Sequence, residues 1–314
     1  MNVQFASDCI GAQTTDLARR LKDGEVLLLE NVRFHPEEEA NDPSFTRELA
    51  QLGELYVNDA FGTAHRAHAS TEGLAHLLPS AAGFLMEAEL SALTPLIEGA
   101  VKPFVCVIGG AKVKDKVGVL TNLMQRVTSF CIGGGMANTF LAAQGHNVGT
   151  SLRDVDDSAA GGILELARKQ GVDIHLPVDA IVAPAFDADR DAKAVSLAAV
   201  GDEMILDIGP QTADRYARVI EAAKTIVFNG PMGVYEKPAY QQGTRVVGEA
   251  IAQATRGGAT SVVGGGDAAA AAHDLGFAGG MTHVSTGGGA ALEFLEGKTL
   301  PGVAALEATA NRNA

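Results

Sequence analysis

Beyond residue 100 the chain carries five short apolar runs: Phe104–Ile108, Ser129–Ile132, Asp173–Leu176, Thr225–Phe228 and Ser261–Val263. Runs of this length without polar alternation read as strands buried on both faces, and the stretches between them have room for helices. The alternation predicts a mainly parallel sheet with helices on both faces, an α/β fold. Upstream the pattern differs. Val3 and Phe5 alternate with Asn2 and Gln4, so Met1–Ile10 reads as a strand already inside a sheet. Thr15–Lys22 reads as a helix capped by Thr14 or Thr15, and Glu25–Glu30 as a buried strand. Asp42 and Pro43 open a helix through Leu52, the aspartate as N-cap and the proline at the first helical position. Leu55–Asn58 is the next strand and Gly83–Ile97 the next helix, and Pro95 and Pro103 bracket a domain boundary.

Four of the later strands end in glycine: Gly109-Gly110, Gly133-Gly134-Gly135, Asn229-Gly230 and Gly264-Gly265-Gly266. In a parallel sheet ligands bind beyond the carboxyl ends of the strands, so these turns predict one open crevice. The last run leads through Asp267, read as an N-cap, and Ala268 into an alanine-rich helix, whose start offers free N–H groups to an anion, phosphate above all. His283–Ala290 repeats the arrangement around Gly287, Gly288 and Gly289. Lys112 and Lys116, four apart, fall on one face if their segment is helical, and an anion between them would relieve their repulsion. Glu236, shortly after Asn229-Gly230-Pro231, is the kind of carboxylate that binds ribose hydroxyls. Arg66, between His65 and His68, suits an anion better than the histidines suit a metal, and Glu37–Glu39 read as solvated surface.

Two familiar phosphate motifs fail. Gly297-Lys298-Thr299 lacks the glycine a Walker A loop needs, since Leu292 stands there, and Asn138 replaces the third glycine of a dinucleotide fingerprint. NAD is therefore disfavoured.

Composition narrows the partners. Twenty-four Lys and Arg against 38 Asp and Glu give a net charge of -14, which argues against nucleic acid or an anionic membrane. A bound phosphate must be held by local cations, amides or a metal. Cys9, Cys106 and Cys131 lack paired spacing and read as reduced core residues of a cytoplasmic protein, and no run is long enough to span a bilayer.

The segments LLLENVRFHPEEE, VNDAFGTAHRAHAS, GGAKVKDKVGVL, IGGGMANTF, FNGPMGVYE, GGGDAAAA and HVSTGGGAALEFLEGKTLPGV, in this order, resemble the phosphoglycerate kinase family. The resemblance implies two Rossmann-like lobes: residues 1–98 as the remainder of an N-terminal phosphoglycerate lobe with its interdomain helix, 99–285 as the nucleotide lobe, and 286–314 returning to the first. It implies Mg²⁺ with ATP or ADP, small-molecule phosphoglycerate substrates, and a monomer if complete. By motif, Arg33 and Arg66 bind substrate, and Lys112 and Lys116 hold phosphates. Gly133, Gly134 and Gly135 line the adenine pocket; Asn229, Gly230, Pro231 and Val234 border the nucleotide, with Glu236 at the ribose. Gly264, Gly265, Gly266, Asp267 and Ala268 hold the magnesium-nucleotide, with Asp267 at the metal, while Lys112 and Gly287–Gly289 serve the moving phosphoryl group.

Two departures stand out. Ala268 replaces the hydroxyl residue that many relatives carry after the GGGD aspartate. The family's N-terminal segment, with its Arg-Val-Asp-Phe-Asn-Val-Pro-like strand and His-Leu-Gly-Arg-Pro-like turn, lies outside these residues. The expectation is a truncated enzyme whose nucleotide lobe folds but whose transfer is impaired. Loss of a comparable transition-state arginine costs on the order of 10³ to 10⁵ in rate. The alternative is a nucleotide-binding fragment without independent activity.

Overall fold

The structure, a computed structural model, describes residues 2–313, with side chains through Ala310; Met1, at the head of the first predicted strand, lies outside them. Two compact units result, one formed by the chain up to Leu90 together with the segment from Lys298 onward, the other by Ser91–Gly297.

In the first unit, β1 (Val3–Phe5) passes through α1 (Ala12–Arg19) to a parallel partner, β2 (Val26–Leu28). The helix starts earlier than the threonines predict. Gly11, at φ 92°, is its N-cap, and the Thr14 and Thr15 hydroxyls donate to the Asp8 and Gly11 carbonyls from inside the buried face. Nor is β2 the buried strand expected: it has one neighbour, and Leu28 is 58% exposed. The chain continues through the short helix α2 (Pro36–Glu39) into α3 (Pro43–Ala50). Asp42 caps α3 as predicted, accepting from the N–H groups of Ser44 and Phe45. A second parallel pair, β3 (Tyr56–Asn58) and β4 (Ser80–Ala82), flanks α4 (Leu74–Leu77). The C-terminal helix Pro301–Asn313 packs here, with Leu306 against Ala75 and the Thr309 hydroxyl on the Ala75 carbonyl. Helix α5 (Phe84–Glu98) carries the chain out of this unit.

The second unit holds a six-stranded, wholly parallel sheet. Its strands are β5 (Phe104–Ile108), β6 (Ser129–Ile132), β7 (Asp173–His175), β11 (Thr225–Asn229), β12 (Thr260–Val263) and β13 (His283–Val284), in the order β13-β12-β11-β5-β6-β7. Every residue of β5, β6 and β11 is buried, which is why these strands read as continuous apolar runs. The helices between and after them are α6 (Val117–Met124), α7 (Gly134–Ala143), α8 (Ser158–Gln170), α9 (Pro210–Glu221), α10 (Gln242–Arg256), α11 (Gly266–Asp274) and, beyond β13, α12 (Gly289–Leu295). The core joins sheet residues Val105, Ile226 and Phe228 to Tyr216 of α9, Ile251 of α10 and Phe277. Between β7 and α9 lies a sheet the sequence pattern does not predict: β8 (Asp179–Ala183), β9 (Lys193–Ser196) and β10 (Met204–Ile208), antiparallel in the order β10-β8-β9. No helix among the described residues is long and apolar enough to cross a membrane, and all three cysteines are free and buried.

Candidate active site

The strand order runs outward in both directions from β5 and β11, so the sheet's topological switch point lies between them. At such a point the loops leaving neighbouring strands turn to opposite faces and open a crevice. Glycine makes the crevice possible. A Cβ on Gly109 would sit 1.9 Å from the Pro231 carbonyl oxygen, and one on Gly230 2.4 Å from that of Gly109. The turns after β5 and β11 therefore close on each other to a degree that no side chain permits.

A cavity of about 230 Å³ opens over these turns, lined by Gly109–Lys112, Asp115, Lys116, Asn229, Gly230, Gly264–Ala268 and Leu292. One chain of hydrogen bonds spans it. Lys116 Nζ donates to Asn229 Oδ1 at 2.6 Å, and Asn229 Nδ2 donates to the Gly264 carbonyl at 2.6 Å. Asn229 is fully buried, and both ends of its amide are thereby engaged. Burial pulls the Lys116 ammonium below its usual range, against the opposing pull of the nearby Asp267 carboxylate.

The structure corrects two details. Lys112 and Lys116 do not share a helix face: residues 110–116 form a loop, with Lys116 as N-cap of α6 and Lys112 exposed on the cavity rim. Asp267 is not a cap either. Gly265, at φ 95°, holds the cap position of α11, and Asp267 lies in its first turn with no capping hydrogen bond from its side chain. The N–H groups that open α11 thus face the cavity region without intrahelical acceptors.

A second cavity, of about 570 Å³, adjoins the first and shares Gly110, Ala111 and Asp267 with it. One wall is Gly134, Gly135, Asn138 and Leu141 of α7. The floor comes from the unpredicted antiparallel sheet, with Ala180, Met204, Leu206 and Asp207, and the far side from Pro231, Val234 and Glu236. Gly133 lies behind this wall, where a Cβ would meet Met232. Asp207 carries no motif that would single it out in the sequence. Its oxygens accept from the Ile208 and Gly243 N–H groups, yet burial pushes its carboxyl up to about 8. Gly287–Gly289 lie outside both linings; they precede α12, whose Leu292 lines the smaller cavity.

Mg²⁺ takes hard oxygen ligands, commonly one or two carboxylates plus substrate phosphates. Asp267, lining both cavities at the α11 start, provides such an oxygen, so the residues present fit the ion.

In the first unit a cavity of about 450 Å³ is lined by Asn31, Arg33, Glu38, Asn58, Thr63, His68 and Ser70 among others. Arg33 is exposed there and pairs at 3.8 Å with Glu39. Arg66 is not in that lining; its Nε donates to His65 Nε2 at 3.4 Å. Glu38 is not solvated as its neighbours are. It is buried, accepting from the Ser70 N–H at 2.9 Å and hydroxyl at 2.6 Å.

Fold and site define an α/β protein of the doubly wound class with a glycine-walled cleft at its switch point. Comparison with known proteins adds the family. The family model for phosphoglycerate kinase matches residues 1–298. Phosphoglycerate kinase of Moorella thermoacetica is 54% identical over 306 residues, spanning 97% of this chain and 77% of its own. That of Koribacter versatilis is 54% identical over 309 residues, 97% of this chain and 76% of its own. Among solved structures, phosphoglycerate kinase from Coxiella burnetii matches with a TM-score of 0.88 and 41% identity, over 99% of this chain and 77% of that one. The enzyme from Pyrococcus horikoshii matches at 0.82 and 34%, over 99% and 79%. The chain belongs to the phosphoglycerate kinase family.

Proposed function

We propose that the chain catalyses reversible phosphoryl transfer between 1,3-bisphosphoglycerate and ADP, giving 3-phosphoglycerate and ATP, as a glycolytic kinase of the cytoplasm. The observation that carries this reading is the convergence of Lys116, Asn229 and the Gly264–Asp267 turn on one glycine-walled cavity beside a larger, mainly apolar one. The first suits phosphates and the second a nucleoside.

In this reading Lys112, Lys116 and the amides of Gly264–Gly266 and Ala268 bind phosphate oxygens, and Asn229 holds Lys116 in place. Gly134, Gly135, Pro231 and Val234 border the base with Gly133 behind them, Gly230 lies at the phosphate cavity, and Glu236 accepts from the ribose hydroxyls. Asp267 would hold the Mg²⁺ that, when bound, neutralises phosphate charge. Gly287–Gly289 offer amides to the moving phosphoryl group, and Arg33 and Arg66 hold the anionic ends of the phosphoglycerate. Phosphoryl transfer asks mainly for positioning and electrostatic stabilisation, and the attacking carboxylate is already ionised, so no catalytic base is needed.

Titration calorimetry with MgADP tests this: saturable binding is expected, weakened by Lys116→Met, and its absence in the unaltered chain refutes the reading. A second reading, a nucleotide-binding module whose transfer is weak when these 314 residues stand alone, draws on the first unit. Phe5, Leu28 and Val57 on its two-stranded sheets are each more than half exposed. A coupled assay showing family-like turnover by these residues alone would refute it.

A further inference from the structure

The larger cavity opens between two segments distant in sequence: the connection from β8 to β9, which contains Phe186, and the stretch Tyr235–Lys237. Lys237 ties them together. Its Nζ donates to the Phe186 carbonyl at 2.7 Å, to Asp187 Oδ1 at 2.8 Å and to Asp189 Oδ1 at 3.1 Å. It also lies 4.3 Å from the centroid of the Phe186 ring. An ammonium has three N–H donors, and here each has an acceptor. The Lys237 side chain is 21% exposed, against 89% for Asp187 and 44% for Asp189, so the lysine is the sheltered partner around which the connection folds.

Phe186 itself is 47% exposed, on the connection from the central strand β8 to the edge strand β9. An aromatic ring this exposed gains only part of its hold from burial. A cation over an aromatic face adds to that hold, strengthened as water is excluded.

We propose that Lys237 is a positioning residue for the base of a bound nucleotide: by clasping Phe186 it fixes the outer wall against which the flat heterocycle lies. The proposal rests on the nucleotide reading of the two cavities. Lys237 lines only the larger one, so it acts at the base end and leaves the phosphate end untouched. The clasp gives the β8–β9 connection two states, closed with the base wall complete and open without it. Weakening the clasp lowers the fraction of competent chains, and apparent affinity falls by that fraction.

The test measures binding of ADP and of inorganic pyrophosphate, each with Mg²⁺, to the full chain and to Lys237→Met, Lys237→Arg, Phe186→Ala and the Phe186→Ala/Lys237→Met double variant. Lys237→Met is expected to weaken ADP about three- to tenfold and to leave pyrophosphate unchanged. Lys237→Arg restores most of the affinity, and in the Phe186→Ala background Lys237→Met has no further effect. Equal losses for ADP and pyrophosphate, additive effects in the double variant, or unchanged ADP binding in Lys237→Met would each overturn the proposal. An unaltered chain that binds pyrophosphate but not ADP overturns the nucleotide reading, and the proposal with it.

Discussion

Replacing Asn229 by leucine removes one side chain and strands two partners. Leucine matches the shape of asparagine closely, so the change isolates hydrogen bonding from packing. The Gly264 carbonyl loses its Nδ2 donor at 2.6 Å, and the Lys116 ammonium loses its acceptor at 2.6 Å. An unsatisfied buried carbonyl costs about 1–3 kcal/mol, and a hydrogen bond to a charged group contributes about 1.5–3 kcal/mol. Lys116 is partly exposed and recovers some of its share from water, so the net loss expected is about 2–4 kcal/mol. That is a large part of the roughly 5–15 kcal/mol by which a domain is stable. Urea unfolding followed by circular dichroism reads it directly, as a lower midpoint at unchanged slope. Asn229→Asp separates the two losses: it keeps an acceptor for Lys116 and removes the donor to Gly264. It should weaken MgADP binding, because its added charge repels phosphate. A leucine variant within about 0.5 kcal/mol of the parent, the scatter of an unremarkable surface change, would refute the view that Asn229 ties the strand ends together.

Gly109→Ala should abolish or severely reduce soluble folded protein, since its Cβ would fall 1.9 Å from the Pro231 carbonyl oxygen; normal yield and an unchanged urea midpoint would contradict the crossing of the two turns. Glu38→Gln should cost about 1–3 kcal/mol in urea unfolding, because the Ser70 N–H and hydroxyl both donate to the buried carboxylate. Burial holds Lys116 below the usual lysine range, while a phosphate beside it favours the charged form. MgADP affinity should therefore be fully present below that lowered value and fall as pH rises through it, earlier than for an ordinary lysine. Lys116→Arg should flatten the alkaline fall, and an unaltered fall in that variant would assign it to another group.

Much of the second unit is legible in the sequence because local rules govern it. Strands β5, β6, β11 and β12 are buried on both faces, so burial writes itself into consecutive apolar residues, and the glycine runs mark where backbone must approach backbone. Asp42 announces the α3 cap for the same reason: capping needs only neighbours in sequence.

What tertiary structure alone decided is where distant segments meet. The β8–β9–β10 sheet is illegible in the sequence because β9 is largely exposed and its pairing is non-local, yet it builds the floor of the larger cavity. Glu38 looks like Glu37 and Glu39 in sequence and differs only because Ser70, 32 residues on, comes to meet it. Lys112 and Lys116 share a cavity without sharing a helix face, because residues 110–116 form a loop ahead of α6. The sequence determined which residues carry the glycines, amides and cations at the strand ends; the switch point between β5 and β11 determined which of them line the same cavity, since only packing brings separate strand ends into register.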